Sequence, residues 1–416
     1  MKPSIIFRAL RPAVAADFPT DLDLIITVKG PDHSSATQID RPPLNLALVI
    51  DKSASMHGRG ISYARKAARQ LVRLLGPTDR LAIITFNSEA QVLVPSTRVV
   101  DRSAFIDAIN GIEPSGQTAL CSGWLSAADQ VCDHLDPTAI NRVILLTDGE
   151  ANVGTTDPTE IGAKISSLVE HEISTSAFGL GTEFNEDLLS VVAAAGNGSF
   201  ASIGSPSQLT GVYAKEFLQL AQTYGERVSI GIRPKNGAEL IATFNDLPRT
   251  SAGNFKIPNI LYGEDFSIGL RLRLPAWEPN QEIASVRLAW DSPKSSMRQE
   301  LTAHLLLPVL SIGELFDLPV DCAVQEKLAL FHANNERRQI ISAIDGSDFM
   351  AAANKLSSLQ ALFRELPQTT NVRRELRLLG PTRELLVSDP NLTRKRLRSE
   401  SLRSTLNVLE VSDEQS

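Results

Sequence analysis

Oxygen-bearing side chains cluster directly after an apolar run near residue 50. The stretch LVIDKSASM places Asp51, Ser53 and Ser55 at alternate positions, and Asp148 follows a second apolar run in LLTDGEAN. Thr118, in SGQTAL, precedes a stretch with helical spacing. Two carboxylates and three hydroxyls, with no histidine or thiolate, make a poor zinc site and suit a hard cation, especially Mg²⁺. These residue types therefore predict a divalent metal site.

The elements that carry these residues have the pattern of an α/β domain. Four apolar runs are continuous, as in strands buried on both faces: LNLALVI (44–50), RLAIITF (80–86), RVILLT (142–147) and ISTSAFGL (173–180). Between and after them lie predicted helices at about 61–75, 101–110, 118–134, 160–170, 187–195 and 206–222. This alternation predicts a doubly wound, mostly parallel sheet. Because ligands bind beyond the carboxyl ends of such strands, Asp51 and Asp148 are expected to converge there.

The flanking sequence changes to a period of two residues, which predicts an antiparallel β-sandwich. Ile268, Leu270, Leu272 and Leu274 alternate with other residues, and the N-terminal residues around Leu24 do the same. The α/β domain is therefore expected to be inserted in the sandwich. The predicted divisions are 1–42 for N-terminal strands that join the sandwich, 43–225 for the α/β domain, 226–312 for the sandwich and 313–416 for a C-terminal helical region with a basic tail. Within that region we expect helices at 322–345 and 347–365, then shorter helical pieces.

The five oxygen donors together resemble the metal-ion-dependent adhesion site (MIDAS) of the von Willebrand factor A (VWA) family. The family pattern is D-x-S-x-S, then T, then D, which Asp51-Lys52-Ser53-Ala54-Ser55, Thr118 and Asp148 match in order. The resemblance covers about residues 43–225. It extends more loosely to the flanks, as in bacterial VWA proteins similar to calcium-activated channels or to inter-alpha-trypsin inhibitor heavy chains.

The resemblance also implies how each donor would act. Ser53 and Ser55 would bind Mg²⁺ directly, Thr118 directly or through water, and Asp51 and Asp148 mostly through water. Mn²⁺ or Ca²⁺ would suit the same oxygens, since such sites discriminate by geometry. An Asx turn or helix cap also favours Asp and Ser after a strand, but it would not require Thr118 and Asp148.

The function that the resemblance implies is a non-enzymatic interaction module in which an Asp or Glu of a partner protein completes the metal shell. Family proteins of this kind often act as adaptors or assembly factors beside AAA+ ATPases. Two alternatives stay open, a secreted or surface adhesion protein and a metal-dependent phosphohydrolase. The sequence contains no G-x-S-x-G elbow, Walker A loop or His-Glu-x-x-His motif, so we expect no enzyme.

Charge, cysteine content and hydropathy restrict the ligand classes and the cellular compartment expected for the protein. The 416 residues carry a net charge of −7, which argues against nucleic-acid binding. Cys121 and Cys132 lie in one predicted helix, roughly 16 Å apart along its axis, too far for a disulfide. The N-terminal stretch lacks the apolar core of a signal peptide, and no run of 18 apolar residues occurs. These features predict a cytoplasmic protein without a membrane span, and the resemblance implies a bacterial one.

The only dense basic run is TRKRLRSESLR at 393–403. We expect it to be the solvated face of a helix, with Leu392, Leu397, Leu402 and Leu406 contacting the rest of the protein. A docking surface for an acidic protein partner remains an alternative for this segment, and RNA or DNA binding is a further one.

Overall fold

The computed structural model describes residues 2–32, 42–180, 184–203, 222–292 and 295–405. The described residues form two compact units. The α/β unit lies within Ser34–Thr223, and the sandwich unit is built from Met1–His33, Tyr224–Ser292 and Met297–Thr405. In chain order the α/β unit therefore interrupts the sandwich, as the change of hydrophobic period predicts.

The α/β unit contains one six-stranded sheet and helices between its strands; elements are numbered along the whole chain. The strands are β4 (Leu44–Asp51), β5 (Arg80–Phe86), β6 (Ala90–Arg98), β7 (Ile140–Thr147), β8 (Ile173–Leu180) and β9 (Asn197–Ile203). The described helices are α1 (Arg59–Leu74), α2 (Ser103–Asn110), α3 (Leu120–Cys132), α4 (Pro158–Val169) and α5 (Glu186–Ala195). The helix predicted at 206–222 falls almost entirely outside the described residues.

The sheet has the order β6-β5-β4-β7-β8-β9, and every pair is parallel except β5 with β6. The predicted fold class is therefore confirmed. Every residue of β4 and of β7 is buried, because helices cover both faces of the sheet. Helix α1 contributes a buried stripe that includes Ile61, Ala64 and Leu71. Each large apolar side chain buried in this way stabilises the fold by about 1.5–3 kcal/mol.

The sandwich unit consists of antiparallel sheets whose strands alternate in burial. Its strands are β1 (Ser4–Ala9), β2 (Val14–Ala15), β3 (Thr20–Lys29), β10 (Thr223–Pro234), β11 (Glu239–Thr243), β12 (Phe255–Lys256), β13 (Ile260–Leu261), β14 (Asp265–Leu274), β15 (Ala284–Ser292), β16 (Ser295–Leu305) and β17 (Val309–Leu310). One sheet has the order β1-β3-β14-β11, and a second has the order β12-β10-β15-β16 with β13 paired to β10. Strands β2 and β17 form a small parallel pair. Ile26, Ile268, Leu270 and Trp290 lie in the shared core.

The helical region belongs to the same unit as the sandwich. Its helices are α6 (Ile312–Asp317), α7 (Cys322–Asp345), α8 (Phe349–Glu365), α9 (Thr370–Ser388) and α10 (Pro390–Thr405). The prediction of shorter helical pieces after residue 370 was wrong, since α9 has 19 residues and α10 has 16. Val372, Leu379 and Leu386, spaced by seven, are all buried in the helical core, which favours one continuous helix despite Pro381.

The basic run lies on α10 and is only partly as expected. Leu397 is buried, but Leu392 is half exposed, so the predicted packing of Leu392 was wrong. Leu392 lies in the first turn of α10, where its backbone N–H donates to Oδ1 of Asp389 at 2.9 Å. The side chain of Leu402 and residue Leu406 lie outside what the structure describes. None of the helices within the described ranges has the length and apolar character that a bilayer crossing requires.

Candidate metal centre

The central strands of the α/β sheet bring the two predicted carboxylates to one edge. Strands β4 and β7 are parallel neighbours, and Ile50 pairs with Leu146. Asp51 is the last residue of β4, and Asp148 follows directly after the end of β7. Strand β4 lies between β5, the next strand along the chain, and β7, so the order of the strands reverses at β4. This is the crevice where open α/β sheets bind ligands.

Asp51 is fully buried and held by hydrogen bonds from two sides. Its Oδ1 accepts from the backbone N–H of Ser53 at 2.7 Å, and its Oδ2 accepts from the hydroxyl of Thr147. Burial raises the pKa of Asp51 from 3.8 to about 6, although the hydrogen bonds from Thr147 and Ser53 act in the opposite direction. A buried carboxylate with so little solvation favours a nearby cation.

Ser53, Ser55 and Asp148 form a hydrogen-bonded row next to Asp51. The hydroxyl of Ser55 donates to Oδ1 of Asp148 at 2.7 Å, and the two serine Oγ atoms lie 2.9 Å apart. Because the Ser55 hydroxyl donates its proton to Asp148, it accepts the other hydrogen bond, and the Ser53 hydroxyl is the donor in the bond between the two serines. Burial also raises the pKa of Asp148, against the lowering effect of Ser55. Adjacent ligands of octahedral Mg²⁺ lie about 3 Å apart, so the spacing of the two hydroxyls suits direct binding of both.

Thr118 reaches the same place from the loop before α3. It is buried, its backbone N–H donates to Oδ1 of Asn152 at 2.8 Å, and its carbonyl accepts from the N–H of Asn152 at 3.1 Å. A Cβ atom built on Gly149 would lie 3.5 Å from both Ser55 Oγ and Thr118 Oγ1, and 3.9 Å from Asp51 Oδ2. Oxygens from three distant segments therefore surround one small space that the glycine leaves open.

The surrounding loops are fixed by backbone hydrogen bonds. The N–H of Ala54 donates to the carbonyl of Gly116 at 3.0 Å, and the N–H of Ser115 donates to the carbonyl of Lys52 at 2.7 Å. Gly116 has a φ of 76°, and a Cβ there would approach Ser88 Oγ to 2.9 Å, so a glycine is required. The loop after β4 and the loop that carries Thr118 are thus held in register.

The first turn of α1 lies beside Asp148. Gly58, with a φ of 76°, precedes this helix, and a Cβ built on Gly60 would lie 3.5 Å from Asp148 Oδ2. The partial positive charge at a helix N-terminus stabilises a nearby carboxylate. Gly60 therefore allows the helix end and the carboxylate to approach closely.

The structure thus brings all five predicted oxygen donors together, and it adds residues that the sequence pattern missed. Thr147 and Asn152 orient Asp51 and Thr118, respectively. A hydroxyl directly before the Asp of LLTDGEAN was the available signal for Thr147; nothing in the sequence pointed to Asn152. His57 is exposed, and the Nζ of Lys52 donates to Gln91 Oε1 at 3.0 Å. Within the described ranges, no three His, Cys, Asp or Glu residues form a metal-binding group.

Comparison with known families agrees with this geometry. Residues 45–215 match the family model of the von Willebrand factor type A domain. This part of the chain is a von Willebrand factor type A (VWA) domain. VWA domains typically mediate metal-dependent protein interactions, and they commonly bind a divalent metal through side-chain oxygens of the kind gathered here.

Individual relatives extend the similarity beyond the VWA domain. An uncharacterized protein of Synechocystis is 24% identical over 351 residues, which cover 81% of each chain. Mouse inter alpha-trypsin inhibitor heavy chain 4 is 31% identical over 170 residues, 39% of this chain but only 18% of that protein. The solved von Willebrand factor type A protein from Catenulispora acidiphila covers 97% of both chains with a TM-score of 0.70 and 16% identity. That structural similarity shows the fold over nearly the whole chain.

Proposed function

We propose that this chain is a non-enzymatic interaction protein whose VWA domain binds a partner through a divalent metal, as a cytoplasmic adaptor or assembly factor. The observation that carries the proposal is the group of oxygens from Asp51, Ser55 and Thr118 around the space above Gly149. These three side chains come from chain segments that are far apart in the sequence. A hard cation would bind oxygens gathered in this way.

The residues present fit Mg²⁺, with Mn²⁺ or Ca²⁺ as alternatives. Ser53 and Ser55 would hold the ion directly, Thr118 directly or through water, and Asp51 and Asp148 mostly through water. When bound, Mg²⁺ supplies a centre that accepts a further oxygen ligand. The carboxylates of Asp51 and Asp148, which hydrogen bonds hold within the site, would balance the charge of the ion.

The partner group that completes this site is a carboxylate. The hydroxyl ligands are neutral, so the ion keeps enough positive charge to attract an Asp or Glu of another protein. Loops 113–118 and 150–157 border the site and would select that partner. The family resemblance makes an AAA+ ATPase system the first partner to test.

The chemistry around the serines supports binding rather than turnover. The Ser53 and Ser55 hydroxyls bond to each other, and Ser55 donates to Asp148; within the described part of the chain no histidine bonds to either hydroxyl as a base would. The cysteines Cys121, Cys132 and Cys322 are all free, which supports a reducing compartment.

The test is the response of thermal stability to Mg²⁺. We expect the wild-type chain to gain stability over its EDTA-treated form, by about 2–3 kcal/mol at a hundredfold excess over Kd. The double variant Ser53→Ala with Ser55→Ala should lose this gain. The matched control is Ser167→Ala with Ser190→Ala, two serines on α4 and α5 whose hydroxyls donate to helix carbonyls.

A partner should then be captured by the wild type and the control but released by EDTA, and not captured by the double variant. An equal Mg²⁺ gain in the double variant would overturn the site. Hydrolysis of a generic phosphoester by the wild type, lost in Asp51→Ala, would instead show an enzyme.

A further inference from the structure

An open groove of about 580 Å³ lies in the sandwich unit. Its apolar lining includes Leu10, Leu22, Ile312, Leu315 and Phe316. Binding sites for ligands and short segments typically enclose about 300–1,000 Å³ and combine apolar walls with a few polar groups. The ring of Phe316 is 64% exposed, so one wall presents a large apolar surface to solvent.

The groove contains one cation without a counter-charge. The guanidinium of Arg11 lies 5.4 Å from the centre of the Phe316 ring, and its Nε is buried without a hydrogen-bond acceptor. Within the part of the chain that the structure describes, no carboxylate pairs with Arg11. A buried donor left without an acceptor destabilises the folded chain, and a ligand oxygen would supply the missing acceptor.

The acidic residues of the groove are already neutralised. Asp21 pairs with Arg273 at 3.1 Å, and Asp23 receives two hydrogen bonds from Arg271 at 2.6 and 2.7 Å. Because the two aspartates already bond to arginines, the guanidinium of Arg11 remains available to an anionic group of a ligand.

The backbone along the groove is an open strand edge. Strand β1 pairs with β3 only from Leu24 to Lys29, and the last bond on that side runs from Leu10 N–H to Asp23 O at 2.8 Å. On its other side β3 is paired with β14 as far as Thr20. Among the described residues no strand pairs with the first side of β3 between Thr20 and Leu22. Open edges of this kind bind extended segments through main-chain hydrogen bonds.

We propose that this groove binds an extended segment of a partner protein in which a carboxylate lies beside bulky apolar side chains. The carboxylate pairs with Arg11, the backbone adds to the edge of β3, and the apolar side chains pack against Leu10, Ile312 and Phe316. This site is separate from the VWA metal centre and requires no metal.

A selection of displayed random heptapeptides on the purified full chain, in EDTA, tests the proposal. We expect enriched sequences with at least two bulky apolar residues and an Asp or Glu. A synthetic peptide of the enriched sequence should bind about tenfold more weakly to Arg11→Gln, and a Glu→Lys version of the peptide should lose a similar factor. The matched control is Arg287→Gln, an exposed arginine of the same unit paired with Glu300, which should bind within about twofold of the wild type.

Two further variants keep the outcome decisive. Phe316→Ala, at a largely exposed ring, should also weaken the peptide even if Arg11→Gln proved unstable. Ser53→Ala with Ser55→Ala should bind the peptide as the wild type does, which separates this site from the proposed function. Selection of no common sequence, of a sequence without an acidic residue, or of one indifferent to both Arg11→Gln and Phe316→Ala would overturn the proposal.

Discussion

At the scale of single residues, the candidate metal centre depends on groups that are costly in the absence of a cation. Asp51 is fully buried with its pKa raised to about 6, and Asp148 is shifted in the same direction by burial. Gly149 leaves open the space that the oxygens surround. Substitutions of Asp51 and of Gly149 are expected to leave the surrounding fold intact. They are expected to differ in their effect on the stability of the metal-free protein.

Asp51→Asn is expected to stabilise the metal-free protein and abolish its response to Mg²⁺. The pKa of Asp51 in the folded state is about 6 against 3.8 for the free group, so ionisation of the folded form at neutral pH costs about 2–3 kcal/mol. The amide has nearly the same shape and no charge to desolvate. The measurement is chemical denaturation of both proteins in EDTA and in Mg²⁺.

The pH dependence follows from the same shift. Because the folded pKa is raised, the stability of the metal-free wild type relative to Asp51→Asn is highest below pH 3.8 and falls until about pH 6. Above that pH the difference is constant. A difference that grows in favour of the wild type as pH rises would contradict the role of burial.

Gly149→Ala is expected to fold normally but to bind the metal at least about tenfold more weakly. The new methyl group would make ordinary contacts of 3.5 Å with Ser55 Oγ and Thr118 Oγ1, so the metal-free protein has little strain. It would, however, occupy space beside the ligand oxygens. Isothermal titration with Mg²⁺ measures the loss, and Gly111→Ala, where a Cβ meets nothing closer than 3.7 Å, is the control.

At the scale of elements, the position of α3 fixes the position of Thr118. Gly123 of α3 lies against the ring of Phe86 on β5, and a Cβ there would come within 2.7 Å of that ring. The ring is fully buried and has no free space to move into. The close approach of helix and strand therefore depends on this glycine.

Gly123→Ala is expected to destabilise the protein by about 1–2 kcal/mol, although alanine favours a helix by about 1 kcal/mol over glycine. The displacement of α3 should also weaken the Mg²⁺ response through Thr118. Gly111→Ala is the control, since a Cβ there meets nothing closer than 3.7 Å. Equal thermal midpoints for the two variants would show that the Phe86 ring moves aside without cost, which would contradict the prediction.

The sequence predicted those elements whose pattern does not depend on their neighbours. The central strands β4, β5, β7 and β8 are continuous apolar runs and were placed within two residues of their observed ends. Strands β6 and β9 were missed, because an edge strand such as AQVLVPSTR is mostly exposed and NGSFASI is small and polar. The site was predictable from residue types and order, whereas the supporting Asn152 depends on a tertiary contact that no spacing reveals.

At the scale of the whole molecule, the sandwich and its helices share a core, and Lys327 places a poorly solvated charge beside it. Ile25 of β3 packs with Val324 and Leu328 of α7. Beside them the Nζ of Lys327 donates to Ser267 Oγ at 2.7 Å. Burial lowers the pKa of Lys327, the carboxylate of Asp265 acts in the opposite direction, and Arg8 adds to the lowering.

Lys327→Met is expected to stabilise the protein at neutral pH and leave the Mg²⁺ response unchanged. Because the folded pKa lies below the ordinary value of 10.5, the charged form is disfavoured in the fold. The penalty is complete below the folded pKa and is relieved as pH rises from that value towards 10.5. Denaturation curves should therefore converge at alkaline pH; a wild type that is more stable at neutral pH would contradict the prediction.

The insertion of the α/β unit has a consequence for synthesis on the ribosome. Lys29 of β3 pairs with Asp265 of β14. Strand β3 therefore lacks this neighbour until more than two hundred further residues have been synthesised. At translation rates of about 5–20 residues per second the delay lasts roughly ten to fifty seconds. The six-stranded sheet is completed in that interval, while β3 remains an exposed edge. Nascent chains stalled between residues 225 and 260 should therefore recruit chaperones through their N-terminal strands.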